Sequence, residues 1–443
     1  MKAKIFLKNK KIFFFIKLKV CTFFYTLVLK FCIGGYIQRR YLASFLRYIS
    51  HNNKYYTSFL AGQKINSKNC IDILRTLPLL TKEIIQQQGN NIYDSTIGNS
   101  HQNWRNTGGS TGEPLRFPVL YKKRVFPDEE LIQQAYLYQL MGCSIQESII
   151  EIDGVRVPES KRHNNIFWFE KTSNFPYGKK RYSILYLNEN TFRYYVKSMN
   201  KDNPVILRGY PSAIKHFCQL LESTNEKITF TLKAVYLTSE NFDENMADYI
   251  SQILGCDVWG QYGHTEISIF AFKRPHDSKY LCCPFYGFTE ILDSNEEQVK
   301  KGEIGEIIVT GFTNIGLPFV RYKTGDLAVF GGKTKNGAVI IENLLGRSTD
   351  YIYDKKSNKI YLVGFIFGGH LSAFNDIKEW QIIQKEVGKL SINVVKGQTY
   401  TSNSENELLS LFKNNNFDVQ ISYTDHIEKT QRGKQKFLIQ ELQ

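Results

Sequence analysis

Residues Pro204–Gly263 read PVILRGYPSAIKHFCQLLESTNEKITFTLKAVYLTSENFDENMADYISQILGCDVWGQYG, and the fold turns on this stretch. Strand-like runs, PVILRGY, FTLKAVYLT and CDVWGQYG, alternate with the helix-period runs SAIKHFCQLLES and FDENMADYISQILG. Such spacing leaves room for a crossover helix between strands, so the strands can pair in parallel. The alternation starts upstream, with RYSILYL followed by TFRYYVKSM. A layered α/β domain with a largely parallel sheet is therefore expected from about Asn103.

Working outward, the pattern changes at Tyr280. YGFTEILD, GEIGEIIVTGF, PFVRYKTGDLAVF and AVIIENLLG are β-rich pieces joined by Gly and Asn turns, as in an antiparallel sheet or small barrel. After GRSTD the pattern restarts with IKEWQIIQKEV, KLSINVVKG, a polar helix near ENELLSLFKNN, and FDVQISYTD. The expected fold class is α/β: a large N-terminal domain of layered α/β sheets with a β-rich subdomain, then a small α+β C-terminal domain. The expected divisions are residues 1–40, 41–346 and 347–443, with the boundary near Arg347–Asp350. At 443 residues, two domains are the natural reading.

Toward the N-terminus, RRYLASFLRYISHNNKYYTSFL has apolar residues at helical spacing. IDILRTLPLLTKEIIQQQ reads as a helix, a Pro break and a Thr-initiated helix. The first forty residues are basic and apolar. Fourteen Lys and Arg and no acid occur through Ile71, and the rest of the chain carries 43 basic against 42 acidic residues. The net charge of +15 thus belongs to the N-terminal part, and no nucleic-acid footprint runs through the main body. Lys17, Lys19 and Lys30 interrupt the apolar stretch, and its longest uncharged piece, Val20–Leu29, is far below the ~20 residues of a membrane span. Neither a transmembrane helix nor a cleaved export signal is expected. Peripheral contact with an anionic membrane and a core-packed helix both remain open. The eight cysteines lack any C-x-x-C spacing, so buried thiols in a cytoplasmic protein are expected rather than zinc ligands or disulfides.

Chemistry concentrates in a few motifs. NTGGSTGEPLRF, Asn106–Phe117, interleaves Thr107, Ser110 and Thr111 with Gly108, Gly109 and Gly112. Small residues let backbone amides approach an anion and hydroxyls add donors, which suits polyphosphate oxygens. Taken alone, the same composition also makes a simple turn. GQYGHTE, Gly260–Glu266, then PFVRYKTGD, Pro318–Asp326, then GRSTD, Gly346–Asp350, and finally TQRGKQKF, Thr430–Phe437, follow in order. LRGYPSAI follows a strand-like run, where open α/β sheets bind ligands, and Arg208, Tyr210 and Ser212 would line a substrate pocket. A plain strand-to-helix turn with Ser212 as N-cap is the alternative.

This ordered series resembles the adenylate-forming (acyl-activating) enzymes, and within them the phenylacetate-CoA ligase-like branch that includes capsular polysaccharide biosynthesis proteins. The resemblance covers roughly Arg40–Gln443. It implies that ATP and a carboxylic acid give an acyl adenylate and pyrophosphate, after which the acyl group passes to CoA or to another thiol, amine or hydroxyl. By the same resemblance, Thr107, Gly108, Gly109, Ser110, Thr111 and Gly112 would hold the β- and γ-phosphates. Tyr262, with Gly263, would stack on adenine, Thr265 would contact the α-phosphate, and Glu266 would ligate Mg2+. Asp326 would accept from the ribose hydroxyls, Arg347 would support that region, His264 would face the acid pocket, and Lys434 would be the mobile catalytic lysine, with Arg432 and Lys436 beside it. Glu113, where relatives carry Lys, and Thr349 at the hinge depart from the pattern. They motivate a second reading, a catalytically impaired ATP- or AMP-binding relative acting as an accessory at a membrane or in a biosynthetic complex.

Overall fold

A computed structural model describes residues 2–97, 103–107, 115–120, 129–171, 173–347, 350–362, 373, 376–397, 399–428 and 437–442, with side chains from residue 14. The chain forms two compact units. The first comprises Met1–Ile145, Gln261–Lys273 and Lys279–Asn343; the second comprises Gln146–Gly260, Arg274–Ser278 and Leu344–Gln443.

In the first unit, α1 (Lys2–Lys30) and α2 (Gly34–Asn52) precede three short helices. α2 buries Gln38, Leu42, Phe45, Leu46 and Ile49, the i, i+4, i+7 face that the sequence period foretells. Asn53 ends α2 and caps the next helix, Lys54–Leu60, by accepting from Tyr56 N–H. Thr81 does the same for Lys82–Gln88 after the Pro break. The β-rich part is antiparallel: Gly287–Leu292, Ile304–Gly311 and Tyr322–Lys333 form a meander. Ile291, Ile307, Val309 and Ala328 are fully buried in it. Gly287 is needed where it stands, because a Cβ there would lie 2.5 Å from Ser268 O and 2.7 Å from Thr310 O.

The second unit contains the parallel sheet foretold by the alternation. Ile149–Asp153, Lys180–Ser183, Ile206–Gly209 and Ala234–Thr238 pair in parallel. The helices Glu189–Asp202, Pro211–Ser223 and Glu244–Leu254 supply Phe192, Ile214, Phe217 and Ile250 to the core with Ile150, Ile152, Leu207 and Val235 of the strands. RYSILYL, read as one strand, stops at Ser183 and continues as a 3-10 turn, Ile184–Tyr186. The C-terminal part is a four-stranded mixed sheet in the order Asp418–Tyr423, Lys389–Lys396, Ile377–Glu386, Leu438–Gln440. Helix Ser402–Asn414 packs Leu408 and Phe412 against Ile382, Ile392 and Val394. The layered α/β, β-rich and small α+β parts expected from the sequence are all present.

Candidate active site

Strand Asp257–Gly263 ends at the YGHTE motif. Tyr262 points inward and is buried, and the chain then turns, with Ile267 N–H donating to His264 O at 3.2 Å. Ile267 adopts φ +57°, costly for a β-branched residue, and its burial in the core holds it there. This turn carries Thr265 and Glu266, both half-buried.

The TGD motif approaches from strand Tyr322–Lys333. Gly325, at φ +75°, sits opposite the register shift between Glu306 and Ile308, so the strand bulges there. A bulge re-aims a side chain, and only glycine adopts that φ without strain. The turn is pinned by Thr324 Oγ1, which donates to Ile307 O at 2.7 Å and accepts from Asp326 N–H at 3.0 Å. Asp326 is thereby buried beside Tyr262. The Tyr262 hydroxyl donates to Asp326 Oδ2 at 2.7 Å, and His264 Nε2 lies 2.7 Å from that hydroxyl and 3.0 Å from the same carboxylate oxygen. The Tyr262 and His264 rings meet edge to face with centroids 4.9 Å apart. Two motifs read separately in the sequence therefore form one polar cluster in the first unit.

The Gly/Ser/Thr loop springs from a hairpin in the same unit, Asn103–Asn106 paired with Arg116–Val119. Thr107 N–H donates to Leu115 O, and Leu115 N–H to Thr107 Oγ1, both at 2.9 Å, which closes the neck of the loop. Arg116 stacks on Trp104, 5.0 Å from the ring centroid. Gly108, Gly109, Ser110, Thr111, Gly112 and Glu113 lie outside the described residues, as do Thr349, Arg432, Lys434 and Lys436.

The second unit holds Arg208, Tyr210, Ser212 and Arg347. Register aligns Arg181, Glu151, Arg208 and Tyr236 across four neighbouring parallel strands. Buried Glu151 accepts from Arg208 Nη1 and lies 3.6 Å from Arg181 Nε and 3.7 Å from Lys171 Nζ. The Arg208 guanidinium also stacks 5.0 Å from the Tyr177 centroid and 5.5 Å from that of Tyr236. Its charge is thus held by the protein itself. Burial, with Asp153 nearby, pushes the Tyr210 hydroxyl above its usual range. Ser212 is not the N-cap. Tyr210 occupies that position, Pro211 opens the helix, and Ser212 N–H donates to Glu240 Oε2 at 3.1 Å. Glu240, next to Ser239 at φ +73° on the end of strand Ala234–Thr238, went unread in the sequence; only its place after a strand could have marked it. Arg347 ends strand Val339–Arg347, and its carbonyl accepts from Asp350 N–H at 3.0 Å.

A cavity of about 210 Å³ opens in the second unit beside this helix start, lined by Lys215, Glu240, Asp243, Trp380, His426 and Phe437 among others. Lys215 Nζ donates to Ile377 O at 3.0 Å, and burial pushes its pKa down to about 8. Among the described residues no three His, Cys, Asp or Glu side chains gather as a metal site. Cys282 and Cys283 are buried, and burial raises both thiols.

Residues 352–441 match the family described as the CapK C-terminal domain. Protein CapK of Staphylococcus aureus is 23% identical over 423 residues, covering 91% of this chain and 88% of that protein. Among solved structures, 2-hydroxyisobutyryl-CoA ligase in its postadenylation state, in complex with R3-HIB-AMP, superposes with a TM-score of 0.68 at 14% identity, covering 91% of this chain and 88% of that one. The chain has the adenylate-forming ligase fold. The same ligase in its thioesterification state, with 2-HIB-AMP and CoA, gives a TM-score of 0.51 at 15% identity. Within this adenylate-forming fold, the Tyr262–His264–Asp326 cluster falls on the motifs on which the sequence resemblance rested.

Proposed function

We propose that this protein activates a carboxylic acid with ATP. The acid's carboxylate oxygen attacks the α-phosphorus, the α–β phosphoanhydride breaks, and pyrophosphate departs to give an acyl adenylate; an acceptor nucleophile then attacks the acyl carbon and loses its proton as AMP leaves. The observation that carries this reading is the hydrogen bond between Tyr262 and Asp326 Oδ2 inside an adenylate-forming ligase fold. Two anions must meet in the first step, so catalysis is mainly positioning and charge neutralisation. A buried carboxylate fixed by Tyr262, His264 and the Thr324 turn is a preorganised acceptor for ribose hydroxyls. Tyr262 would stack on adenine, and Thr265 would donate to the α-phosphate.

Glu266 would be the side chain that holds Mg2+, which when bound would supply positive charge against the pyrophosphate. The chain's donors fit that ion: Glu266 is a half-buried carboxylate with no ion-pair partner among the described residues, and Mg2+ bound to phosphates takes only one or two protein carboxylates. Lys434 follows strand Asp418–Tyr423 in the chain and would bring a flexible positive charge to the reacting carboxylate. CoA is bound by the ligase of similar fold, and CoA is accordingly the first acceptor to test. The CapK likeness favours a role in surface polysaccharide synthesis, with the enzyme working in the cytoplasm where ATP is supplied.

The test is acid-dependent ATP–pyrophosphate exchange over aryl, acyl, amino and sugar acids. Exchange with one acid class that disappears in Asp326→Ala supports adenylation and names the substrate class. ATP binding without exchange for any acid would replace this reading with nucleotide binding lacking turnover.

A further inference from the structure

Among its described side chains, from residue 14 onward, α1 is docked by one face. Leu18, Thr22 and Tyr25, at i, i+4 and i+7, are buried, and Tyr25 packs edge-on against Tyr136 and Phe285 at 4.9 and 5.0 Å. The opposite face repeats the same spacing with Ile16, Val20, Phe23 and Phe24, all exposed, the two phenylalanines at 60%. Where the chain turns into α2, Phe31 at 67%, Ile33 at 47% and Tyr36 at 59% extend this apolar surface. Soluble surfaces seldom keep so many large apolar side chains contiguous without a use. Lys19 and Lys30 are exposed on one flank of the stripe and half-buried Lys17 lies on the other. No acidic residue occurs anywhere in the first 71 positions.

No single helix among the described residues is long and apolar enough to cross a membrane. α1 and α2 bend by 119° at their junction, and the apolar face of α2 is already used within its own unit. Lying flat is the arrangement left for the stripe. Its flanking ammonium groups match anionic headgroups, and aromatic rings beside them match the boundary with the acyl chains. We propose that the exposed face of α1 and the α1–α2 elbow form a docking surface for an anionic lipid bilayer, with Phe23, Phe24 and Phe31 inserted at headgroup depth and Lys19 and Lys30 on lipid phosphates.

Full-length protein is sedimented with vesicles of mixed phosphatidylglycerol and phosphatidylcholine, and with pure phosphatidylcholine. Binding is expected only with the anionic vesicles, weakening as salt is raised. It should fall at least about tenfold in Phe23→Ser/Phe24→Ser and again in Lys19→Gln/Lys30→Gln. These side chains are exposed, so thermal melting of the variants should match the wild type. Phe24→Trp keeps the face aromatic, and lipid brominated near the glycerol end should quench the added fluorescence. Equal binding to neutral vesicles, unchanged binding of both double variants, or no added quenching overturns the proposal. So does a dimer, seen by light scattering, that Phe23→Ser/Phe24→Ser dissociates while the wild type ignores vesicles; the stripe would then bind a second copy of the chain.

Discussion

Tyr262 and Asp326, 64 residues apart in the chain, meet through a 2.7 Å hydrogen bond in which the phenol donates to the carboxylate. The tyrosine is fixed by the end of its strand and the aspartate by a glycine bulge, so the contact joins two rigid elements. Tyr262→Phe keeps the ring and removes the donor. A hydrogen bond to a charged group contributes about 1.5–3 kcal/mol, and His264 remains as a second donor, so a stability loss of about 1.5 kcal/mol is expected in urea unfolding. In the exchange assay the KM for ATP should rise while the acid's KM changes little. The opposite split would place Tyr262 on the acid instead.

Arg208 and Glu151 show where a charge pair is structural. Glu151 is buried, and Arg208→Met removes its nearest cation. Breaking a buried pair costs about 3–5 kcal/mol, and the more distant Lys171 and Arg181 bring the expected loss to about 3 kcal/mol. Removing the carboxylate as well, in Arg208→Met/Glu151→Leu, should recover most of it. A double variant as unstable as Arg208→Met alone would refute that account.

Gly287 sits under the turn that carries Thr265 and Glu266, since its missing Cβ makes room for Ser268 O. Gly287→Ala forces backbone apart on both sides. Overpacking of this kind costs about 1–3 kcal/mol, and the upper end is expected because both neighbours are backbone oxygens. Exchange activity should fall together with the melting temperature. A fully active, equally stable Gly287→Ala protein would show that the turn tolerates displacement.

How far the sequence carried this reading depends on contiguity. Tyr262, His264 and Asp326 were legible because each lies in a short motif whose order was recognisable. Glu151 and Glu240 were not, because each gains its role from a partner 57 or 28 residues away that only the fold brings near. Ser212 illustrates the same limit: a serine after a strand reads as an N-cap, yet Pro211 fixes the first helical position one residue earlier and a remote carboxylate takes the amide. The N-terminal lysines looked like interruptions of an apolar run. Wound into a helix, Lys17 and Lys19 fall on opposite flanks of one apolar face, which linear spacing conceals.

Lys215 gives the pH dependence. In an unfolded chain its ammonium titrates near 10.5, and burial beside the cavity pushes that down to about 8 in the folded protein. Below about pH 8 both states hold the proton, and the folded state bears the full cost of the buried charge. Between about 8 and 10.5 the unfolded chain still holds a proton that the folded one has released, so rising pH favours folding. Lys215→Met lacks this group. The variant also loses the donor to Ile377 O, a penalty that is nearly constant with pH. Urea midpoints of the two proteins at pH 7 and pH 10 should therefore show the wild type gaining on Lys215→Met as pH rises, while the other titrating groups cancel in the difference. A difference that is flat over this window would mean that the lysine keeps its proton in water, and that the cavity is wetter than its apolar Trp380 and Phe437 walls imply.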